Sequence, residues 1–395
     1  MTQPLITSLL DTDLYKITML QAFHHAPEFC GATVAWRFAC RNLGTVDLAA
    51  LLPKIRSQIE SLSNLVFMAD ELAYLRGIPF LSPDFLSLLT DYRFDPEYIE
   101  ISTRGRDLDI QIRGPLHQVA LFEIPLLAII SELHSIDHCH GGFFSLGRSR
   151  LSEKIEFLKA QGEMPGFAFA DFGTRRRAGF DWQREVLETL ADQLPGLFIG
   201  TSNLHFARTL GLRPIGTMAH EWFQAWQAVA PLAQAQEAAL NGWLREYPHH
   251  LGIALTDCYA MEPFIRDFSR GDLAVRYQGL RHDSGDPQLW GEKAIAMYER
   301  LGIDPRGKTL VFSDRLTFPK MVELYRTITK RIHVTFGIGT NLTNDVGPAP
   351  LDIIIKLTEV NGKPVAKISD QPDKSICSDA GYLERLAELY GIERR

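Results

Sequence analysis

The sequence predicts an α/β protein with an irregular α/β barrel, a flanking α+β domain before the barrel and a helical tail after it. From about residue 165, short apolar runs alternate with helical stretches, as expected of a parallel sheet buried on both faces. Before about residue 130, helical and strand patterns are mixed without this alternation. We therefore predict a flanking domain over residues 1–130, a barrel over 131–360, and a C-terminal strand and helix over 361–395 that pack back on the flanking domain.

Eight apolar runs are the candidate barrel strands, and each ends at a polar residue or a glycine. In a parallel barrel the carboxyl ends of the strands lie at one face, so the polar residues that follow them are expected to form one site. A doubly wound open sheet is the alternative that this pattern leaves open. The runs lie at residues 167–170, 197–199, 214–216, 253–255, 277–280, 310–312, 334–336 and 353–355.

The segments on either side of the barrel have periodicities of their own. Residues 13–24 have helical spacing, whereas residues 33–38 and 110–113 alternate, which predicts one helix and two half-buried strands. In the tail we predict a strand over residues 364–368 and a terminal helix over 380–390.

The composition excludes several classes of protein. Apolar residues make up 46% of the 395 residues, which allows a sizeable core, and the net charge of −7 argues against a broad nucleic-acid-binding surface. The most apolar stretch, residues 119–130, is too short to span a membrane and contains Glu123 and Pro125. No secretory signal is visible, and the five cysteines form no C-x-x-C pair. We therefore expect a cytoplasmic protein with reduced thiols.

His220 is the residue with the most specific chemistry. It follows a short apolar run and stands at the start of a helical pattern, and a helix N-terminus favours a phosphoryl group. Asp257, at the end of another predicted strand, is a candidate to orient the imidazole and raise its nucleophilicity. This pair predicts a histidine that accepts and returns a phosphoryl group, and the alternative is a buried structural histidine.

Other strand ends carry groups that suit anions. Residues 200–203 and 336–341 have the small residues of phosphate-binding turns, although neither matches a Walker or Rossmann motif. Arg281 can hold a carboxylate or phosphate, and Asp283 can bind ribose hydroxyls or Mg²⁺. For residues 281–286 a surface salt bridge followed by a turn is an equally good interpretation.

Three further patterns have ordinary structural explanations. Asp11 or Thr12 can cap the first helix, and the run 175–177 of three arginines is typical of a solvated loop. Residues 132–140 are rich in metal-ligand types. We favour a polar helix end followed by a break at Gly141-Gly142, because no matching ligand set follows.

Taken together and in this order, the motifs resemble the bacterial nicotinate phosphoribosyltransferases. No single motif is diagnostic, but the combination covers nearly the whole chain. The motifs are DTDLYK at 11–16, DFGTRR at 171–176, GTSN at 200–203, GTMAHE at 216–221, TD at 256–257, RHDSGD at 281–286, FSDR at 312–315, FGIGTN at 336–341 and KLTEVNGKPVAKISD at 356–370.

The resemblance implies a type II phosphoribosyltransferase-like barrel and a homodimer with shared active sites. It also implies a reaction, in which nicotinate and phosphoribosyl pyrophosphate (PRPP) give nicotinate mononucleotide and pyrophosphate. ATP is hydrolysed in coupling, Mg²⁺ is required, and the reaction begins NAD biosynthesis from nicotinate. The family's phosphohistidine falls on His220 and its supporting aspartate on Asp257.

Residues for the nicotinate ring follow from the same resemblance. Phe172 and the partner subunit's Tyr15 would stack on the two faces of the ring. Arg175 and Arg281 would bind the nicotinate carboxylate or PRPP phosphates. Ser202 stands where the related nicotinamide-using enzyme has a carboxylate, and the missing acid fits an anionic substrate.

Residues for the sugar phosphate are also implied. Asp283 would hold ribose hydroxyls or Mg²⁺, with no other metal ligand from the protein. Gly337, Gly339 and Thr340 would bind the 5′-phosphate. The predicted substrate-binding set is completed by Thr217 and Ser313.

Three rival functions remain at this point. A phosphoribosyltransferase for quinolinate or nicotinamide would share the barrel but differ in its basic or acidic side chains. A non-catalytic sensor would bind PRPP without turnover. A metal-dependent hydrolase would use the ligand types of residues 132–140.

Overall fold

The computed structural model describes residues 3–44, 46–138, 143–368, 377 and 379–392. The chain forms two compact units, each built from three stretches. The first unit contains Met1–Gln21, Trp36–Gly216 and Ile338–Ile355, and the second contains Ala22–Ala35, Thr217–Gly337 and Lys356–Arg395. The predicted domain boundaries near residues 130 and 360 stay a prediction.

The regular elements follow one another in mixed order. Up to residue 216 they are α1 (Leu14–His25), β1 (Thr33–Cys40), α2 (Leu52–Leu62), α3 (Ala69–Arg76), α4 (Pro83–Asp91), β2 (Ile99–Arg104), β3 (Asp107–Pro115), α5 (Leu116–Val119), α6 (Glu123–His138), α7 (Phe143–Lys159), β4 (Phe169–Asp171), α8 (Phe180–Gln193), β5 (Phe198–Thr201) and α9 (Leu204–Thr209). From residue 217 they are α10 (His220–Val229), α11 (Ala235–Glu246), β6 (Ile253–Leu255), α12 (Met261–Phe268), α13 (Leu273–Arg276), β7 (Gly279–His282), α14 (Pro287–Arg300), β8 (Thr309–Phe312), α15 (Phe318–Ile328), β9 (His333–Ile338), α16 (Thr340–Thr343), β10 (Ile353–Val360), β11 (Lys363–Pro364) and α17 (Ala380–Tyr390).

The predicted helix and strands of the N-terminal region are confirmed as α1, β1 and β3. Strand β3 pairs antiparallel with β2, with Ile101 opposite Ile110. Its residues alternate between buried and partly exposed positions, as expected of a strand with one face on a core.

Four parallel strands, in the order β6-β7-β8-β9, form the centre of the second unit. Leu280 and Leu310 pair with each other and are fully buried. Helices α14 and α15 connect successive strands, which gives the expected βαβ pattern. In the first unit β4 and β5 are also parallel. Six of the eight predicted runs therefore form parallel strands.

The other two runs differ from the prediction. Pro214 forms an isolated parallel bridge with Thr201, in which the Ile215 N–H donates to the Thr201 carbonyl at 2.9 Å. Residues 353–355 open β10, which pairs antiparallel with β11 rather than extending the parallel set. The turn between them is Asn361-Gly362, and both residues have positive φ, as a two-residue hairpin turn requires. The strand predicted over 364–368 is therefore wrong beyond Pro364.

The terminal helix is confirmed as α17. Tyr382, Leu386 and Tyr390 recur every four residues on its buried face. Tyr390 stacks on Tyr259 with ring centroids 4.3 Å apart, and its hydroxyl donates to the Leu232 carbonyl at 3.0 Å. Tyr259 and Leu232 both lie in the region predicted as barrel. The C-terminal segment was predicted to pack on the flanking domain, residues 1–130.

One helical segment, Leu116–His138, is long and apolar enough to cross a membrane, with a mean hydropathy of 1.7. Its most apolar window is 94% buried inside the protein, as in the core helix of a globular fold. The described cysteines Cys30, Cys40 and Cys258 have free thiols.

Gly279→Ala is expected to destabilise the second unit. A Cβ atom on Gly279 would collide with the Thr309 carbonyl in the neighbouring strand β8. Overpacking of this kind costs about 1–3 kcal/mol of unfolding free energy. Urea denaturation measures the effect, with Gly307→Ala as the matched control, because no atom lies within 4 Å of a Cβ there. Equal midpoints for the two variants would contradict the expected clash.

Candidate active site

His220 and Asp257 lie together in the second unit. His220 is the first residue of α10, and Asp257 follows β6 by two residues. Both side chains are buried, and the His220 Nε2 atom is 2.8 Å from Asp257 Oδ1. The predicted contact between these residues is thus present in the structure.

Lys367 completes this pair, and the sequence analysis did not single it out. Its buried Nζ atom is 2.6 Å from Asp257 Oδ2 and 2.8 Å from His220 Nε2. Lys367 follows the β10–β11 hairpin, 147 residues after His220. The only sequence signal is its position inside the motif at 356–370, which contains three lysines.

Two serines and a second carboxylate surround the pair. Ser284 donates to Asp257 Oδ2 at 2.7 Å. Asp283 Oδ2 lies 3.5 Å from His220 Nε2, and the Ser313 hydroxyl donates to Asp283 Oδ1 at 3.2 Å. The loops after β6, β7 and β8 therefore converge on His220, as expected for the carboxyl ends of parallel strands. The alternative of a surface salt bridge at residues 281–286 is wrong.

Arg281, Thr217 and Gly337 belong to the same unit. Arg281 donates from Nη1 to the Met218 carbonyl at 2.9 Å, and its buried Nε has no hydrogen-bond partner among the described residues. Thr217 Oγ1 lies 3.0 Å from the Ile253 carbonyl oxygen, which ties the segment before α10 to β6. Gly337 lies within β9.

The charges of this cluster are strongly coupled. Burial and the adjacent Lys367 ammonium lower the pKa of His220 to about 4, so the imidazole is neutral at pH 7. Burial alone would raise the pKa of Asp257, but Lys367 and His220 hold it well below its usual value. Burial and Asp257 act to raise the pKa of Asp283, and His220, Lys367 and Arg281 outweigh them and lower it.

His220, Asp257 and Asp283 are also the buried group that has the spacing of metal ligands, with ligand atoms within 4.8 Å of one another. Both oxygens of Asp257 already have partners, and Lys367 is one of them. A cation bound by all three would have to displace this ammonium. Asp283, whose side chain is 30% exposed, is the member with room for a ligand.

The alternative metal cluster at 132–140 gains no support. The His134 and His138 rings lie 4.1 Å apart, and His138 Nδ1 is 2.9 Å from the His134 carbonyl oxygen. Neither belongs to a metal-ligand group among the described residues. Cys139, His140 and the Gly141-Gly142 break lie outside the described residues.

In the first unit, carboxylates bind the polar groups of the loop 200–203. Thr201 donates to Asp171 at 2.8 Å, Ser202 to Asp13 at 2.7 Å, and Asn203 to Asp11 at 2.7 Å. Three acids around one loop disfavour phosphate, so the predicted phosphate cradle does not fit here.

An acid does lie beside Ser202, although position 202 itself has none. The buried Asp13 carboxyl accepts a hydrogen bond from the Ser202 hydroxyl. Burial raises the pKa of Asp13, partly offset by Ser202 and Arg175.

The arginine run is not a solvated loop. The Arg177 side chain is fully buried and binds both oxygens of Asp11 at 2.8 Å, so Asp11 is not a helix cap. Arg176 pairs with Asp352 at 2.6 Å. Buried, bidentate pairing of this kind fixes the geometry of the segment.

Arg175 remains the most exposed of the three, at 39% of its side chain. It lies 3.4 Å from Glu123, which also pairs with the buried Lys16 at 2.7 Å. The Tyr15 hydroxyl lies 3.5 Å from the same carboxylate. Glu123 is thus shared between the cations of Arg175 and Lys16.

Phe172 and the second glycine loop also belong to the first unit. The Phe172 N–H donates to the Ile338 carbonyl at 2.8 Å. Gly339 precedes the short helix that begins at Thr340, and a Cβ on Gly339 would lie 3.1 Å from the Phe172 carbonyl oxygen. The close approach explains the glycine.

Lowering the pH is expected to destabilise the fold through His220. The pKa of His220 is about 4 in the folded state and about 6.5 in an unfolded chain. Between these values the unfolded state binds more protons, so the unfolding free energy rises with pH by up to about 1.4 kcal/mol per unit. Urea titrations across this range should show a steeper pH dependence for the wild type than for His220→Asn. The same pH dependence of the unfolding free energy in the wild type and in His220→Asn would disprove the lowered pKa of His220.

Comparison with known proteins gives one family. The nicotinate phosphoribosyltransferase (NAPRTase) family model matches residues 167–394, and the model of its N-terminal domain matches residues 10–131. A nicotinate phosphoribosyltransferase of Psychromonas ingrahamii is 58% identical over 389 residues, which cover 98% of this chain and 96% of that protein.

Solved structures agree with this result. The crystal structure of the Vibrio cholerae nicotinate phosphoribosyltransferase has a TM-score of 0.95 at 40% identity, and the match covers 100% of this chain and 96% of that one. The Porphyromonas gingivalis enzyme has a TM-score of 0.91 at 35% identity, with 98% and 100% covered.

The fold and the polar strand ends are those of an α/β enzyme, and the predicted fold class is confirmed. The chain belongs to the nicotinate phosphoribosyltransferase family.

Proposed function

We propose that this enzyme makes nicotinate mononucleotide and pyrophosphate from nicotinate and PRPP, as the first step of NAD biosynthesis from nicotinate. We further propose that ATP hydrolysis is coupled to this reaction through a phosphohistidine at His220. The full-length similarity to nicotinate phosphoribosyltransferases supports the activity. The observation that carries the coupling is His220 at the start of α10, hydrogen-bonded to the buried Asp257.

The geometry favours one ring nitrogen as the nucleophile. Nε2 contacts both Asp257 and Lys367. In the proposed tautomer the Nε2–H donates to Asp257, and the lone pair on Nδ1 attacks the γ-phosphorus of ATP. The bond from phosphorus to the bridging oxygen breaks, and ADP leaves with the electron pair. The neutral imidazole needs no base, and Asp257 offsets the positive charge that the ring acquires. Water later attacks the phosphorus, and the P–N bond breaks.

The glycosyl transfer requires positioning more than proton transfer. The nicotinate ring nitrogen attacks C1 of the ribose, and the bond from C1 to the pyrophosphate oxygen breaks with its electrons on the leaving group. Because this nitrogen already has a lone pair, no general base is needed, and the transition state resembles an oxocarbenium ion. Mg²⁺, when bound, neutralises charge on the departing pyrophosphate.

Side chains of the first unit are proposed to bind nicotinate. Arg175, the most exposed arginine of the run 175–177, binds the carboxylate. Phe172 and the partner subunit's Tyr15 stack on the ring, which requires a homodimer with shared sites. Ser202, hydrogen-bonded to Asp13, borders the ring.

The remaining residues are proposed to bind the sugar phosphate. Asp283 holds ribose hydroxyls or, together with substrate phosphates, Mg²⁺, since Mg²⁺ commonly takes one or two carboxylates and completes its shell with phosphates and water. Arg281 binds a PRPP phosphate through its guanidinium group. The Nε atom of this group has no hydrogen-bond partner among the described residues. Gly337, Gly339 and Thr340 are proposed to bind the 5′-phosphate. Thr217 and Ser313 are further proposed substrate-binding residues.

A substrate comparison tests the proposal. The enzyme is incubated with PRPP, Mg²⁺ and nicotinate, nicotinamide or quinolinate, with and without ATP, and mononucleotide and phosphate are quantified. We expect product from nicotinate and a faster rate with ATP. Preference for nicotinamide or quinolinate would assign a rival transferase, and PRPP binding without product would indicate a sensor.

The proposed location is the cytoplasm, in line with the free thiols.

A further inference from the structure

Lys367 lies in a segment whose backbone is fixed on both sides. The side-chain amide of Gln227 accepts from the Ala366 N–H at 2.8 Å and donates to the Ala366 carbonyl at 2.7 Å. The Ile368 N–H donates to the Cys258 carbonyl at 2.8 Å, directly after Asp257. The residues before and after Lys367 are therefore anchored within the same unit.

Gln227 also connects the segment to the C-terminal helix. The Tyr382 hydroxyl of α17 donates to Gln227 Oε1 at 3.0 Å. Gln227 and Tyr382 are both buried, so these bonds have little competition from water. On α10, Gln227 stands seven residues after His220, which places both on one helix face. One helix thus carries the proposed nucleophile and the amide that anchors the neighbouring cation.

The position of this cation matters because of the charges around it. Asp257 and Asp283 bring two carboxylates to His220, and a phosphoryl group would add more negative charge. Lys367 is the ammonium in direct contact with this group. Lys356 acts electrostatically on His220, and Arg281 acts electrostatically on Asp283. A displaced Lys367 would leave the incoming phosphoryl group facing uncompensated carboxylates.

We propose that Gln227 and Tyr382 are positioning residues for phosphoryl transfer to His220, and that they act by holding Lys367 against Asp257. The C-terminal helix is thereby part of the coupling apparatus. This inference rests on the proposed phosphohistidine.

The test compares variants with matched controls from the same unit. Gln227→Met removes the amide, and Gln236→Met removes another buried amide, which bonds Pro263 and Asp267 instead. Tyr382→Phe and Tyr390→Phe each remove one hydroxyl from the same helix. Lys367→Met removes the ammonium itself, so it should have the largest effect of these variants. We expect it to slow labelling from γ-phosphate-labelled ATP by about 10- to 100-fold.

Two rates are measured for each variant: phosphoenzyme formation, and mononucleotide formation without ATP. We expect Gln227→Met and Tyr382→Phe to slow phosphoenzyme formation more than mononucleotide formation without ATP. The controls Gln236→Met and Tyr390→Phe should keep the wild-type ratio of these two rates. A purely structural role would lower both rates together. Equal ratios in Gln227→Met and Gln236→Met would overturn the inference. If Gln227→Met does not fold, Tyr382→Phe is compared with Tyr390→Phe instead, and equal ratios of the two rates would overturn the inference.

Failure of the proposed function has a different signature. If the wild type itself acquires no label, or if His220→Asn is labelled equally, the phosphohistidine is wrong and the inference falls with it. If the wild type is labelled on His220 and the variants match their controls, only the role of Gln227 and Tyr382 is wrong.

Discussion

His220→Asn is expected to lose ATP stimulation, because Asn has no nucleophilic nitrogen for the phosphoryl group. The ATP-dependent part of the rate should fall by at least about 10³-fold, as is typical when a covalent nucleophile is removed. Mononucleotide formation without ATP should remain measurable, since the glycosyl transfer needs no group from His220. Initial rates with and without ATP, together with labelling from γ-phosphate-labelled ATP, give the result.

His333→Asn is the control for this variant. His333 is exposed at the start of β9, so its loss should change neither rate. Undiminished ATP stimulation in His220→Asn would show that another group accepts the phosphoryl, or that ATP acts without a covalent intermediate.

Arg177→Met is expected to cause the largest loss of stability. It leaves the buried Asp11 carboxylate without its bidentate partner, which costs about 3–5 kcal/mol of unfolding free energy. Urea denaturation followed by circular dichroism measures the change. The neighbouring contact with Glu132, 3.5 Å from Arg177 Nε, would be lost as well.

Arg184→Met provides the comparison. Arg184 pairs with Glu188 along α8, and both side chains are about half exposed, so we expect a change within about 0.5 kcal/mol. If both arginine variants unfolded at the same urea concentration, the Arg177 pair would not support the fold as described.

The sequence was sufficient to predict the His220–Asp257 pair because its signals are local. A turn before a helical pattern marks the start of α10, and an apolar run marks the end of β6. The parallel arrangement then brings the strand ends together. Lys367 had no such signal, because it lies in an irregular segment and its neighbours are set by the hairpin.

Long-range pairing decided the other differences. The run at 353–355 has the same apolar character as a barrel strand, but it opens β10, whose far end turns at Asn361-Gly362 into the antiparallel hairpin with β11. Arg177 looked like part of a solvated loop because its partner, Asp11, is 166 residues away. The contact between Ser202 and Asp13 could not be predicted for the same reason, because the two residues are 189 positions apart in the sequence.

The interleaving of the two units has a consequence for synthesis. The first unit needs Ile338–Ile355 and the second needs the stretch from Lys356 onward, so neither can be complete until most of the chain has left the ribosome. The apolar strands β4 and β5 can pair with each other early, but the stretch Ile338–Ile355 of the same unit is made much later. His220 and Asp257 likewise emerge long before Lys367, so Asp257 gains its ammonium partner only after residue 367 has been made.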